Sequence, residues 1–279
     1  MKKILSAILA VLTVCTTAAA VVSAAAKVDG RPTAEAYIAE VTVDGKIDDA
    51  WKYANEYAVA TIKPTACDAA WYKNTMKAGK DYAAVTMKVL WDGKGTLYVL
   101  GQVKDSTPNL KYQKTNTYCA DSFEVMFNLD NTKQVVAPTQ WCWLADGKQT
   151  NGTTKFGYAK TADGFIMEVA VDVSKVGGAG QYLGFDVQYN DNVLGKESRQ
   201  VCMAWRDATN NTWKDSSALG QCLLSAKKVS DIKAAQTTAA TTKAPTAKPA
   251  APATFDAAVI LAVVTAAAGT GIVVSRKKH

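Results

Sequence analysis

The stretch VTMKVLWDGKGTLYVLGQV, residues 85–103, decides the fold. Val85, Met87, Val89 and Trp91 alternate with Thr86 and Lys88, and a second apolar run, Leu97 to Val103, follows the turn Asp92-Gly93-Lys94-Gly95. Side chains on a strand point alternately to opposite faces, so this spacing describes strands with one face in a core. Further along, Phe123, Val125, Phe127 and Leu129 alternate with Ser122, Glu124, Met126 and Asn128. Phe165, Met167, Val169 and Val171 repeat the pattern, as do Phe185, Val187 and Tyr189. Roughly ten such runs, separated by Gly, Asn and Asp, predict an all-β chain folded as an antiparallel, jelly-roll-like β-sandwich. Asp48 to Tyr53 (DDAWKY) reads as a short helical turn opened by an acidic cap.

The two ends read differently. Residues 1–26 carry Lys2 and Lys3, an apolar stretch, and Ala24-Ala25-Ala26, the pattern of an export signal. Val14 before Cys15 is not the small residue that a lipidation site would place there. Residues 231–254 are mostly Thr, Ala, Pro and Lys without an aromatic, and are expected to form an extended linker at ~3.1 Å per residue. Residues 255–279 hold an uncharged apolar run, Ala257 to Val274, followed by Arg276, Lys277 and Lys278. This predicts one C-terminal transmembrane helix with its basic end in the cytoplasm and residues 27–230, the folded domain, displayed at the cell surface. The C-terminal pattern is similar to Gram-positive surface signals but has no LPxTG, so a plain membrane anchor is expected.

Charge follows the same division. The whole chain is +7, yet residues 27–230 hold 24 basic and 23 acidic side chains. The excess belongs to the ends, and the domain has no basic run, which excludes nucleic acid as a partner. The chain's one histidine is His279. The domain therefore has no histidine for a Ser-His-Asp hydrolase, a histidine metal site or an axial haem ligand. A glycosidase needs only two carboxylates, so composition leaves that class open. Five cysteines remain after residue 26 (Cys67, Cys119, Cys142, Cys202, Cys222); their spacing fits no zinc site, and mostly buried free thiols with at most one or two bridges are expected.

The segment WRDATNNTWKDSSALGQ, residues 205–221, sets two tryptophans among polar residues. Trp213 reads equally as a stacking platform for the apolar face of a sugar ring or as a loop anchor with its indole N–H on a carbonyl. Trp205 ends the alternation Val201, Met203, Trp205 and is expected in the core. If Phe123, Val125 and Phe127 point inward, Glu124 faces the other side of its sheet, as a solvated glutamate or as the floor of a cleft.

Three blocks taken together resemble the family 9 carbohydrate-binding module, a β-sandwich often attached to xylanases. They are VDGKIDDAWKYA (43–54); VLWDGKGTLYVLGQVKDSTPN (89–109) with DSFEVMFNLDNTK (121–133); and GFDVQYND (184–191) running to WRDATNNTWKDSSALG (205–220). The resemblance implies a sugar held between two aromatics, here Trp213 and Tyr118, with hydrogen bonds from Glu124 and Asn210. Where such members carry Arg and Asn on the next strand, this chain has Cys142 and Leu144 in QWCWLAD. Losing that arginine removes a charge-assisted donor to sugar hydroxyls. Trp141 and Trp143 share the opposite face and are expected in the core. The resemblance requires no cofactor, but structural calcium is known in the family, with Asp105, Asp121 and Asp130 as candidate oxygen ligands here.

The expected function is non-catalytic binding of plant-type polysaccharide or oligosaccharide at the surface of a bacterial cell, alongside surface glycoside hydrolases. The alternatives are an adhesive or structural module that has lost the sugar site, and a cryptic glycoside hydrolase.

Overall fold

A computed structural model describes residues 25–78 and 82–242; the export signal up to residue 24 and the predicted membrane span lie outside these. No helix among the described residues is long and apolar enough to cross a membrane. Thirteen strands form the domain: β1 Thr33–Ile38, β2 Glu56–Ala58, β3 Thr61–Ile62, β4 Ala84–Trp91, β5 Thr96–Lys104, β6 Ser122–Asn128, β7 Thr139–Leu144, β8 Gln149–Asn151, β9 Phe156–Lys160, β10 Gly164–Asp172, β11 Tyr182–Asp191, β12 Val201–Ala204 and β13 Gly220–Lys228. Their ladder runs β8-β7-β6-β11-β13-β1-β4-β5-β10-β9, with β2, β3 and β12 off this path.

The hairpin β4–β5 forms as its sequence dictates. Asp92 Oδ1 accepts from the backbone N–H of Lys94, Gly95 and Thr96, and Gly93 supplies φ +76°. Register then stacks like with like: Val85 opposite Val103, Met87 opposite Gly101, Val89 opposite Val99. On the other flank of β5, Phe165, Met167, Val169 and Val171 pair with Val103, Gly101, Val99 and Leu97. The ladder folds over so that the Phe123 ring of β6 lies against Gly101 of β5, where a Cβ would sit 2.5 Å from the ring. This contact closes the sandwich. Removing side chains of this size from water contributes roughly 1.5–3 kcal/mol each, and the core contains Met87, Trp91, Phe123, Trp143, Phe165, Phe185 and Tyr189.

The sheets are antiparallel except at β1, which runs parallel to both β13 and β4 and joins the two layers. The expectation of one buried face per strand also needs correction. Leu90 and Leu100 point outward but are covered by Trp51, Ala54 and Val229. Trp51 sits in the turn Asp49–Lys52, a 3-10 helix whose Asp48 makes no side-chain cap and instead accepts from Thr42 N–H. The indole N–H of Trp51 donates to Glu168 at 3.0 Å, and Glu168 accepts Asp44 and Gly45 N–H on its other oxygen. Block 43–54 is therefore a structural lock on β10.

Two helices were not expected. α1, Ala69–Ala78, begins where Asp68 accepts from Trp71 N–H. α2, Val229–Thr242, occupies the first part of the segment read as an extended linker. Its alanines favour helix, Asp231 sits in its first turn, and the first proline, Pro245, comes after it. The cysteines at 67, 119, 142, 202 and 222 are free thiols, all but Cys67 buried. Burial pushes the Cys142 thiol up to about 12, with Glu124 adding to it, and the Cys202 thiol up to about 11.

Candidate sugar-binding site

The outward face of β6 and β11 is the floor of the site. Glu124 and Gln188 are cross-strand partners, as are Ser122 and Asn190. Alternation sends all four away from Phe123, Val125, Val187 and Tyr189, yet Glu124 is only 2% exposed because loops cover this face. It is not the ordinary solvated strand glutamate. One carboxylate oxygen accepts Gln140 Nε2 at 2.5 Å and the other accepts Asn190 Nδ2.

One wall comes from the loop after β12. Asp207 organises it: Oδ1 accepts Thr209 N–H and hydroxyl, and Oδ2 accepts Asn211 and Thr212 N–H. Asp207 N–H in turn donates to Asp186 of β11. Asn210 takes φ +60°, which asparagine tolerates, and this turn presents Trp213 to solvent. Trp213 is 53% exposed, with Lys214 Nζ 5.4 Å from its ring centre. Its N–H does reach a carbonyl, that of Asn210, but the ring does not anchor the core. Trp205 does: it packs on Tyr57 and Phe185. Trp143 is fully buried and Trp141 packs beside it.

The opposite wall is the 3-10 turn Thr117–Cys119, which presents Tyr118 at 43% exposure. The Arg199 guanidinium lies 5.0 Å from the Tyr118 ring centre and is held by Asn190 Oδ1 and the Ala66 carbonyl. A cavity of about 500 Å³ opens between these walls. Tyr118, Glu124, Asn210 and Trp213 all line it, together with Gln140, Gln188 and Arg199. Cys142 and Leu144 are buried and do not line it, but the expected loss of an arginine donor is answered from elsewhere. Arg199 arrives from the segment between β11 and β12. Sequence reading missed it and the two glutamines because only topology carries them there.

Carboxylates gather at a second place. Asp105, Asp121 and Asp191 are buried, with ligand oxygens within 4.8 Å of one another. Asp130, named from sequence, is exposed and stands apart; Asp191 takes its place. Burial raises the Asp121 carboxyl far above its ordinary range, and Asp191 and Asp105 add repulsion. Asp191 Oδ1 is buried without a hydrogen-bond partner. Three hard carboxylate donors, one of them holding an orphaned oxygen, fit a calcium ion, which would neutralise them.

A family model described as "Carbohydrate family 9 binding domain-like" matches residues 43–227. The chain is 34% identical over 206 residues to "Exoglucanase XynX" of Acetivibrio thermocellus, covering 70% of this chain and 17% of that protein. It is 31% identical over 201 residues to "Endo-1,4-beta-xylanase A" of Thermoanaerobacterium saccharolyticum, covering 68% and 16%. The match thus spans less than a fifth of each relative's length. Among solved structures it resembles a family 9 carbohydrate-binding module of Caldicellulosiruptor kristjanssonii, solved with cellotriose and with glucose. The cellotriose complex superposes with TM-score 0.59 at 19% identity, over 71% of this chain and 95% of that one. The glucose complex gives the same score, covering 97% of that chain. The chain therefore belongs to the family 9 carbohydrate-binding modules, and the domain it forms is a non-catalytic binding module.

Proposed function

We propose that the domain captures a plant-type poly- or oligosaccharide in the cavity between Trp213 and Tyr118. One observation carries this reading: two exposed aromatic rings flank a cavity whose lining offers Glu124, Gln140, Gln188, Arg199 and Asn210. A pyranose ring has an apolar C–H face and a rim of hydroxyls, and needs both kinds of partner. Among the described residues lining this cavity Glu124 is the one carboxylate, whereas glycoside hydrolysis takes a pair. Each contact is a small term offset by ordering, so affinity is modest. The test is a glycan array probed with the full chain in a sugar-free zwitterionic detergent. Binding to glucan or xylan fragments is expected; an empty array leaves the adhesive module as the reading.

The two apolar ends of the sequence support display outside the cell, tethered through the C-terminus, where bound sugar would reach neighbouring glycoside hydrolases. Protease added to intact cells should release the domain; protection of the domain would reverse the orientation. The carboxylate cluster Asp105, Asp121, Asp191 is proposed to hold a structural calcium ion.

A further inference from the structure

Beneath the cavity lies a lysine that the sugar would never touch. Lys63 is 0% exposed; its ammonium donates to Thr212 Oγ1 at 3.0 Å and Gln188 Oε1 at 2.5 Å, and it forms an ion pair with Asp207 Oδ2 at 3.2 Å. Burying an ammonium is costly unless it is paired with a charge and hydrogen-bonded, as here. Two of these partners, Asp207 and Thr212, belong to the loop that carries Asn210 and Trp213, and the third, Gln188, lines the cavity floor. Lys63 itself is held through its backbone N–H on the Cys202 carbonyl of β12.

From Lys63 a chain of hydrogen bonds crosses the floor in one direction. Gln188 gives its oxygen to Lys63 and donates Nε2 to Asn190 Oδ1 at 3.0 Å. Asn190 then donates Nδ2 to Glu124. Arg199 adds a second donor to Asn190 Oδ1. An ammonium can only donate and a carboxylate only accept, so the ends fix the direction of both amides between them. A flipped Gln188 would set its NH₂ against the ammonium. It would also set its oxygen against Asn190 Oδ1, so Lys63 and Asn190 hold the Gln188 amide from its two sides.

We infer that Lys63 is a positioning residue of the sugar site: its buried ammonium ties the Asn210–Trp213 loop to the floor and, together with Asn190, holds the Gln188 amide in one orientation toward the ligand. The inference rests on the sugar-binding reading above. Asp207 keeps its backbone partners without Lys63, but the loop is then no longer joined to β11 through that ammonium.

The experiment is a double-mutant cycle on the full chain, with the dissociation constant for cellotriose read well below each variant's melting transition. Lys63→Met should weaken binding about tenfold. Gln188→Leu should weaken it too, and Lys63→Met on that background should add much less than alone, because the lysine acts partly through the glutamine. Gln188→Glu keeps an acceptor for Lys63 but removes the donor to Asn190, so it should stay folded and bind poorly. Thr212→Val removes one tie without leaving a buried charge unpaired, and should weaken binding about threefold. That variant decides the matter if Lys63→Met does not fold. Wild-type affinity in Thr212→Val, or losses from Lys63→Met and Gln188→Leu that simply multiply, overturns the inference. Failure of the wild-type chain to bind any sugar sinks the functional reading instead.

Discussion

The indole N–H of Trp213 donates to the carbonyl of Asn210 at 3.0 Å, and Asn210 itself holds the left-handed backbone at φ +60°. The bond closes inside the loop. It satisfies the ring's one polar atom without drawing the ring into the core, so the indole face stays available.

Trp213→Ala should therefore abolish sugar binding and leave the melting temperature near the wild-type value. A core tryptophan truncated in this way costs about 3–5 kcal/mol, whereas Trp213 buries little. Calorimetry with and without cellotriose reads both quantities. Collapse of the fold would make Trp213 an anchor. Tyr118→Trp should tighten binding through added stacking area, and Tyr118→Ala should loosen it.

Glu124→Gln places an amide where a carboxylate accepts from two sides. The new oxygen must face Asn190, so the new NH₂ meets the Gln140 amide, which must turn its own oxygen inward to accept it. Asn190 cannot turn to compensate, since its oxygen is engaged by Arg199 and Gln188. Binding should weaken, and stability should fall by about 0.5–1.5 kcal/mol as charge-assisted bonds become neutral ones. Denaturant unfolding separates the two effects; unchanged stability would mean that the floor repacks.

Two aspartates give opposite pH dependences. Burial works against ionisation of Asp207, but the Thr209 hydroxyl, Lys63 and the loop amides outweigh it and hold the carboxyl well below its usual range. Its contribution is present above the unfolded value near 4 and is lost as pH falls below it. Burial raises Asp186 to about 6 despite Lys63 and three backbone N–H groups. Its contribution is full below about 4 and is lost as pH rises through 6. Asp207→Asn should flatten the acid limb of a stability–pH curve, and Asp186→Asn the slope between pH 4 and 6; curves parallel to wild type would count against these assignments.

Gly157→Ala should be severely destabilising. A Cβ there would lie 2.2 Å from Gly45 N, against backbone that cannot step aside. The variant tests whether block 43–54 serves structure alone: any folded fraction should bind cellotriose with wild-type affinity.

Chelation with EGTA should lower the melting temperature, and added Ca²⁺ should restore it, through Asp105, Asp121 and Asp191. Asp191→Asn should remove the response. A melting curve indifferent to chelator would leave the cluster without a metal role.

The strands were legible because alternation is a local signal, and hairpins such as 85–103 carry their own turn chemistry. Tyr118, Glu124, Asn210 and Trp213 were reached through the order of the three blocks. Arg199, Gln188, Gln140 and Lys63 were not, since each meets the cavity through pairings between distant segments. Asp191 escaped for the same reason: it joins Asp105 and Asp121 only once β11 lies beside β6. α2 was hidden by reading composition across a stretch whose prolines fall only in its second half.

The strands at the ends and off the path of the ladder are short: β8 has three residues, β9 five, β2 three and β3 two. Unpaired edges invite a neighbouring copy to add its own strand, and short ones give such an addition little length to grip. Molecules tethered side by side would meet at high local density, where edge-to-edge sticking would draw them into patches. For a domain displayed as proposed, such blunt margins would keep neighbouring copies separate.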